Sequence, residues 1–232
     1  MKKLVIAVLS LCAFTTAKSQ IYVQGGLNLA NITETKSGQT QDNKMLTTFN
    51  AGILGRTNST EAIALETGLL IQGRGAKANT YLNTSTDDNY VKAKFNPLYL
   101  ELPVNLILRL PMESKNNIFF NAGPYIAMGI GGKSTIDTKF LGSETHSTSN
   151  IKFNNDDPST TEQEGASYDR LKRFDYGVNV GAGLDVGKLL LKVNYGFGLA
   201  KINSTETNNS SDDKNKYRTI SISLGVPIGG HR

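Results

Sequence analysis

The stretch LYLELPVNLILRL, Leu98 to Leu110, alternates without interruption. Leu98, Leu100, Leu102, Val104, Leu106, Leu108 and Leu110 share one parity, and Tyr99, Glu101, Pro103, Asn105, Ile107 and Arg109 share the other. A period of two held this long is a strand signature. Strands in a soluble sandwich are usually shorter, with a mode of about 5–6 residues. A strand crossing a bilayer needs about 9–11 tilted residues, apolar toward lipid and polar toward the lumen. Length, and the sorting of both charges onto one face, predict a transmembrane β-strand.

The rest of the chain repeats the pattern. Strands are expected at Ile21–Ile32, Thr48–Arg56, Glu61–Lys77, Tyr90–Leu110, Ile118–Lys133, Arg173–Val186, Leu189–Ile202 and Tyr217–Ile228, each with an apolar and a more polar parity. The first, third, fifth and seventh connections are long and polar, and the second, fourth and sixth are tight. Outer-membrane barrels have even strand numbers, short periplasmic turns and long external loops. The expected fold is therefore all-β: an eight-stranded antiparallel up-and-down transmembrane β-barrel with short periplasmic turns and long extracellular loops. Closure removes the edges that such long strands would otherwise expose.

Details follow from the same pattern. Pro124 has no N–H for a ladder, so it predicts a bulge or a local gap in pairing. In the longest interruption, Ser134–Lys172, the alternating pieces Ser134–Phe140 and Asn150–Phe153 suggest a hairpin beyond the membrane. Phe174, Tyr176, Tyr195 and Phe197 lie on the lipid parity near the long-loop ends, where an interfacial girdle belongs.

Composition agrees. At 232 residues the chain fits one large or two small domains. A hydrophobic share of 38% and a mean hydropathy of −0.28 suit a barrel, half of whose strand residues are polar. No run of about 18 apolar residues exists to form a transmembrane helix. Met1-Lys2-Lys3, the apolar Leu4–Phe14 and the small residues near Ala17-Lys18-Ser19 read as a secretory signal peptide, residues 1–19, leaving 20–232 as the barrel domain. The single cysteine, Cys12, falls in that leader, and Leu11 before it argues against lipoprotein processing, so no thiol chemistry is expected beyond it. The net charge of +5 comes from scattered lysines without a basic, aromatic-interleaved stripe, so nucleic acid is not an expected partner.

The ordered set Gly25-Gly26-Leu27-Asn28, Leu65-Glu66-Thr67-Gly68-Leu69, Tyr99-Leu100-Glu101-Leu102-Pro103, Ala122-Gly123-Pro124-Tyr125 and Tyr195-Gly196-Phe197-Gly198-Leu199 resembles the PorT-like outer-membrane β-barrel family of Bacteroidota. The resemblance spans essentially the whole chain after the leader. It implies an outer-membrane barrel with outer-membrane lipid and the barrel-assembly machinery as partners, in a functionally broad family of which some members serve secretion of surface proteins. Such barrels often end on an aromatic residue; this chain departs from that pattern with Gly229-Gly230-His231-Arg232.

Glu66, Arg74, Glu101, Arg109, Asp175, Asp185 and Lys192 fall on the lumen parity and are the candidate site residues, a polar network. Pairing of the third and fourth strands about Tyr81–Thr86 is expected to bring Glu66 and Glu101 near one level, with Arg74 and Arg109 as candidate counter-ions. Packing in a narrow barrel favours a structural salt-bridge network over a proton or solute path. His146, beside Glu144 and between Ser143 and Ser147, has no rigidly held base and orienter, so no catalytic set is expected. The acidic loops Asn154–Asp157 and Asp212-Asp213 lack the ligand spacing and central Gly of a calcium loop, and no metal or cofactor is expected. Gly25, Gly26, Gly181, Gly183, Gly196 and Gly198 have no helix after them to cradle a phosphate; they serve strand curvature and make room for lumen side chains.

The first functional expectation is a non-enzymatic barrel acting through its extracellular loops on a protein or glycan partner. Two others stand beside it: a soluble lipocalin-like barrel, with the apolar parity turned inward around a small apolar ligand, and a lipid-modifying outer-membrane enzyme.

Overall fold

The computed structural model describes residues 19–36, 39–81, 89–112, 116–153, 170–202 and 214–228. Residues 1–18 of the expected leader, the acidic segments Asn154–Asp157 and Asp212-Asp213, and His231 lie outside them.

Eight strands form the wall: β1 Ser19–Lys36, β2 Leu46–Asn58, β3 Ile63–Gly73 with its continuation Ala76–Tyr81, β4 Tyr90–Pro111, β5 Asn117–Phe140, β6 Phe174–Asp185, β7 Leu190–Gly198 and β8 Lys214–Ile228. Each pairs antiparallel with its sequence neighbour, and β8 closes the cylinder on β1 from Ile21↔Ile228 to Thr35↔Lys214. Closure leaves the wall without an open sheet edge, which a bilayer demands.

The leucine parity of β4 points outward: Leu106, Leu108 and Leu110 are exposed, whereas Tyr99, Glu101, Asn105 and Ile107 are buried inside. Val180, Leu191, Leu224 and Ile53 are likewise on the outer surface. A contiguous apolar belt around a cylinder far exceeds the few hundred Å² that a soluble monomer exposes. The soluble-carrier expectation therefore fails: its apolar parity would have to face the axis, and here Glu101 and Arg74 do.

The structure departs from the sequence-based boundaries where the backbone is irregular. The third strand is not continuous from Glu61 to Lys77; it breaks at Arg74-Gly75 and resumes as Ala76–Tyr81. Gly75 has φ +129°, a left-handed conformation suited to glycine, and a Cβ there would stand 2.0 Å from the Phe95 carbonyl oxygen. The seventh strand ends at Gly198 rather than Ile202. Around Pro124 the β4–β5 ladder has a gap between Pro103↔Tyr125 and Leu106↔Ala122, but the register is unchanged; the register shift lies at Leu98/Tyr99. The hairpin beyond the barrel turns at Leu141-Gly142, so its returning strand is Ser143–Asn150, paired to Lys133–Phe140. Lys152-Phe153 does not extend that hairpin; it pairs in parallel with Arg170-Leu171.

Candidate functional site

The lumen is filled by side chains sorted into two ionic clusters. Near the short turns, Glu66 takes a hydrogen bond and ion pair from Arg56 at 2.9 Å, an ion pair from Lys192 and a hydrogen bond from the Tyr22 hydroxyl. Asn105 adds a contact at 3.2 Å, and Asp185 stands 3.6 Å from Arg56. The Arg56 guanidinium lies 4.6 Å from the Phe119 ring centroid and 5.6 Å from that of Tyr22.

Toward the long connections, Arg74 bridges Glu101 and Asp175. Gln72 and Asn179 donate to Glu101 at 2.8 and 2.9 Å, and Tyr125 donates to Asp175 at 3.0 Å. The rings of Tyr125, Tyr99 and Tyr217 surround the Arg74 guanidinium at 4.7, 5.2 and 5.9 Å. Burial of a bare cation is costly. Here each arginine gains paired carboxylates and neighbouring aromatic rings, which offset that cost. The Gln24, Asn28, Asn50 and Gln72 amides join by hydrogen bonds beside these clusters. A cavity of about 20 Å³ remains, room for about one water.

The structure distributes the sequence-predicted residues as follows. Glu66 and Lys192 join the first cluster with Asp185, and Arg74, Glu101 and Asp175 form the second. Glu66 and Glu101 are not level: Glu66 pairs with Asn105 and Leu70 with Glu101. Four residues along a strand separate the two carboxylates by about 13 Å, so each recruits its own cations. Arg109 serves neither carboxylate; it donates to Asn58 at 2.7 Å at the short-turn rim.

Sequence reasoning missed Arg56, the central cation of the first cluster, because it ended the expected second strand. Its parity, opposite Phe49, Ala51 and Ile53, was a signal for it. It also missed the tyrosine cage, whose members share only their lumen parity on β4, β5 and β8. Room for the Tyr125 ring comes from a small neighbour: a Cβ on Gly177 would stand 2.7 Å from it.

Ser143–Asn150 pairs with Lys133–Phe140, which itself pairs with Tyr90–Asn96 of β4, and it carries His146 between two partners. Its Nδ1 faces Asp137 Oδ1, and its Nε2 lies 3.1 Å from the Thr148 hydroxyl. His146 is thus held on an ordered ribbon instead of standing alone in a loop. Its side chain is 68% exposed.

Residues 15–204 match the family model described as "Outer membrane protein beta-barrel domain". The chain belongs to that family. An outer-membrane β-barrel places the protein in the outer membrane, where its leucine belt meets hydrocarbon. No curated protein matches the chain. Solved structures similar to this barrel include Ail, the attachment invasion locus protein of Yersinia pestis, at 11% identity over 91% of this chain and 100% of that one, with a TM-score of 0.41. Neisserial surface protein A has 12% identity with the same coverages and TM-score. OprG of Pseudomonas aeruginosa has 13% identity over 91% of this chain and 97% of that one, with a TM-score of 0.35.

Proposed function

We propose that this outer-membrane β-barrel is a non-catalytic surface protein whose long connections face the cell exterior and bind a protein or glycan partner. One observation carries the reading. The lumen is packed with paired ions and tyrosines, whereas the β5 ribbon continues past the wall to an exposed tip at Leu141-Gly142. A plugged cylinder of eight strands offers no wide pore, and Ser143–Asn150, exposed along its whole length at the outer edge of the extended β4–β5 sheet, offers backbone and side chains to a partner. Both termini of the described wall lie at the short-turn end, Ile21 beside Ile228, as in barrels whose short turns are periplasmic. The resemblance to PorT-like barrels extends the proposal to an accessory role in secretion of surface proteins.

Orientation and partner are tested together on intact cells. Leu141→Cys should react with a membrane-impermeant maleimide, and a photo-crosslinker at Ser147 should capture one discrete partner. Labelling that needs broken membranes would reverse the orientation. Crosslinks only to lipid or to the barrel itself would remove the partner.

The enzyme reading has one observation in its favour, the Asp137–His146–Thr148 chain of contacts. A triad needs a base held beside its nucleophile and a bound substrate. Unchanged membrane lipid composition in His146→Ala and Thr148→Val cells would dispose of it.

A further inference from the structure

The outer faces of β6, β7 and β8 end in a different chemistry from the rest of the belt. Phe174 and Tyr176 begin β6 on the lipid parity and are both more than half exposed. Leu199 follows β7 on its lipid parity. Directly beyond these apolar groups stand Lys172, Lys201 and Lys216, and together with Ala200 the six residues line a groove of about 410 Å³.

The floor of the groove is built, not frayed. Past the ends of the strands the backbone stays bonded: Leu199 N–H donates to Tyr176 O at 2.9 Å, Lys172 N–H to Ile202 O at 3.0 Å and Ile202 N–H to Asn215 O at 3.2 Å. Beside it, Arg218 donates to the Gly198 and Tyr217 carbonyls at 2.9 Å and lies 5.7 Å from the Phe197 centroid, adding fixed positive charge to the same face. Among the described residues, none of the three lysines is ion-paired, and no carboxylate lines the groove. Asp175, three positions from Lys172, is turned into the lumen onto Arg74.

We propose that this groove binds the phosphorylated glycolipid of the outer leaflet, lipid A: acyl chains lie on Phe174, Tyr176 and Leu199 while its phosphates meet the lysine ammoniums. Aromatic rings sit at the level where hydrocarbon gives way to headgroups, and lysine stems reach from apolar surface to place their charge in the polar layer. Groups of one sign, on lipid-facing parity and at headgroup height, complement a lipid that carries two phosphates on an acylated sugar. The assignment to the outer leaflet rests on the orientation proposed above, which the Leu141→Cys labelling tests separately.

The test uses purified protein in detergent micelles, with folding monitored by heat-modifiable migration. Bis-phosphorylated lipid A should raise the unfolding temperature saturably, whereas dephosphorylated lipid A and inorganic phosphate should not. The K172Q/K201Q/K216Q variant should bind lipid A roughly tenfold more weakly or worse, given the contribution of each basic group at an anionic surface. K172R/K201R/K216R keeps the charge and should bind like the parent, as should Lys188→Gln at the opposite rim. If the glutamine variant does not fold, Lys216→Gln alone should still weaken binding measurably. Undiminished binding by a folded glutamine variant, equal binding of dephosphorylated lipid A, or the same stabilisation by inorganic phosphate would each overturn the proposal. None of these results depends on which way the protein faces in the membrane.

Discussion

Arg74 reaches across the barrel to Asp175, which lies 101 positions further along the chain, and at the same time grips Glu101 on the neighbouring strand. One cation thus serves two buried carboxylates. In the other cluster Arg56 and Lys192 face Glu66 and Asp185, two cations to two carboxylates.

That difference predicts unequal costs. Arg74→Met strands two buried carboxylates and should lower stability by about 3–5 kcal/mol. Asp175→Asn leaves Arg74 paired with Glu101 and should cost only ~1–2 kcal/mol. Urea unfolding in lipid vesicles reads both; equal losses would show that the cluster does not work as a charge balance.

A double-mutant cycle addresses the balanced cluster. Glu66→Gln leaves Arg56 and Lys192 without their shared carboxylate, and Lys192→Met removes one of those cations. The pair E66Q/K192M should be less damaging than the sum of the singles by about 1–3 kcal/mol, since contacting groups couple. Strict additivity would mean the two side chains do not interact in the folded barrel.

Gly183 tests the packing around Phe119. A methyl group at Gly183 would come within 2.3 Å of both the Phe119 ring and the Leu191 carbonyl oxygen. Gly183→Ala should therefore destabilise by about 1–3 kcal/mol. Adding Phe119→Leu should restore only part of that, because the backbone contact persists. Thermal gel shifts of the two variants give the comparison.

The outward parity has its own check. Val180 is exposed midway along β6, and Val180→Arg should cost about 2–4 kcal/mol in a bilayer. Val180→Leu should fold as the parent does in the same vesicles. An arginine tolerated without loss would argue that this face meets water.

The packed lumen predicts electrical silence. With about 20 Å³ of free space between the clusters, planar bilayers containing the protein should show no steady unitary current. Reproducible single-channel steps from the folded form would mean that the ionic plug opens.

The architecture was legible because both of its signals are local. Parity along a strand records which side meets hydrocarbon, as in Leu98–Leu110, and alternating short and long connections record the up-and-down order. The aromatic girdle at Phe174 and Tyr176 follows from the same rule. Parity also placed Glu66, Arg74, Glu101, Asp175 and Lys192 in the interior.

Which of those charges meet was not local. It depends on the stagger between neighbouring strands: the β3–β4 register sets Glu66 opposite Asn105 rather than near Glu101. It also depends on which residues the closed wall carries round to one height, as with Lys192 and Glu66. The break at Arg74-Gly75 and the turn at Leu141-Gly142 required backbone conformations that alternation does not encode. The sequence by itself determined the sidedness of every wall strand, because a bilayer and a narrow lumen impose opposite solvation on successive residues. Only the tertiary structure decided the ionic partners and the grouping of Lys172, Lys201 and Lys216 over one aromatic floor, because both arise from shear and closure, which sum over all eight strands.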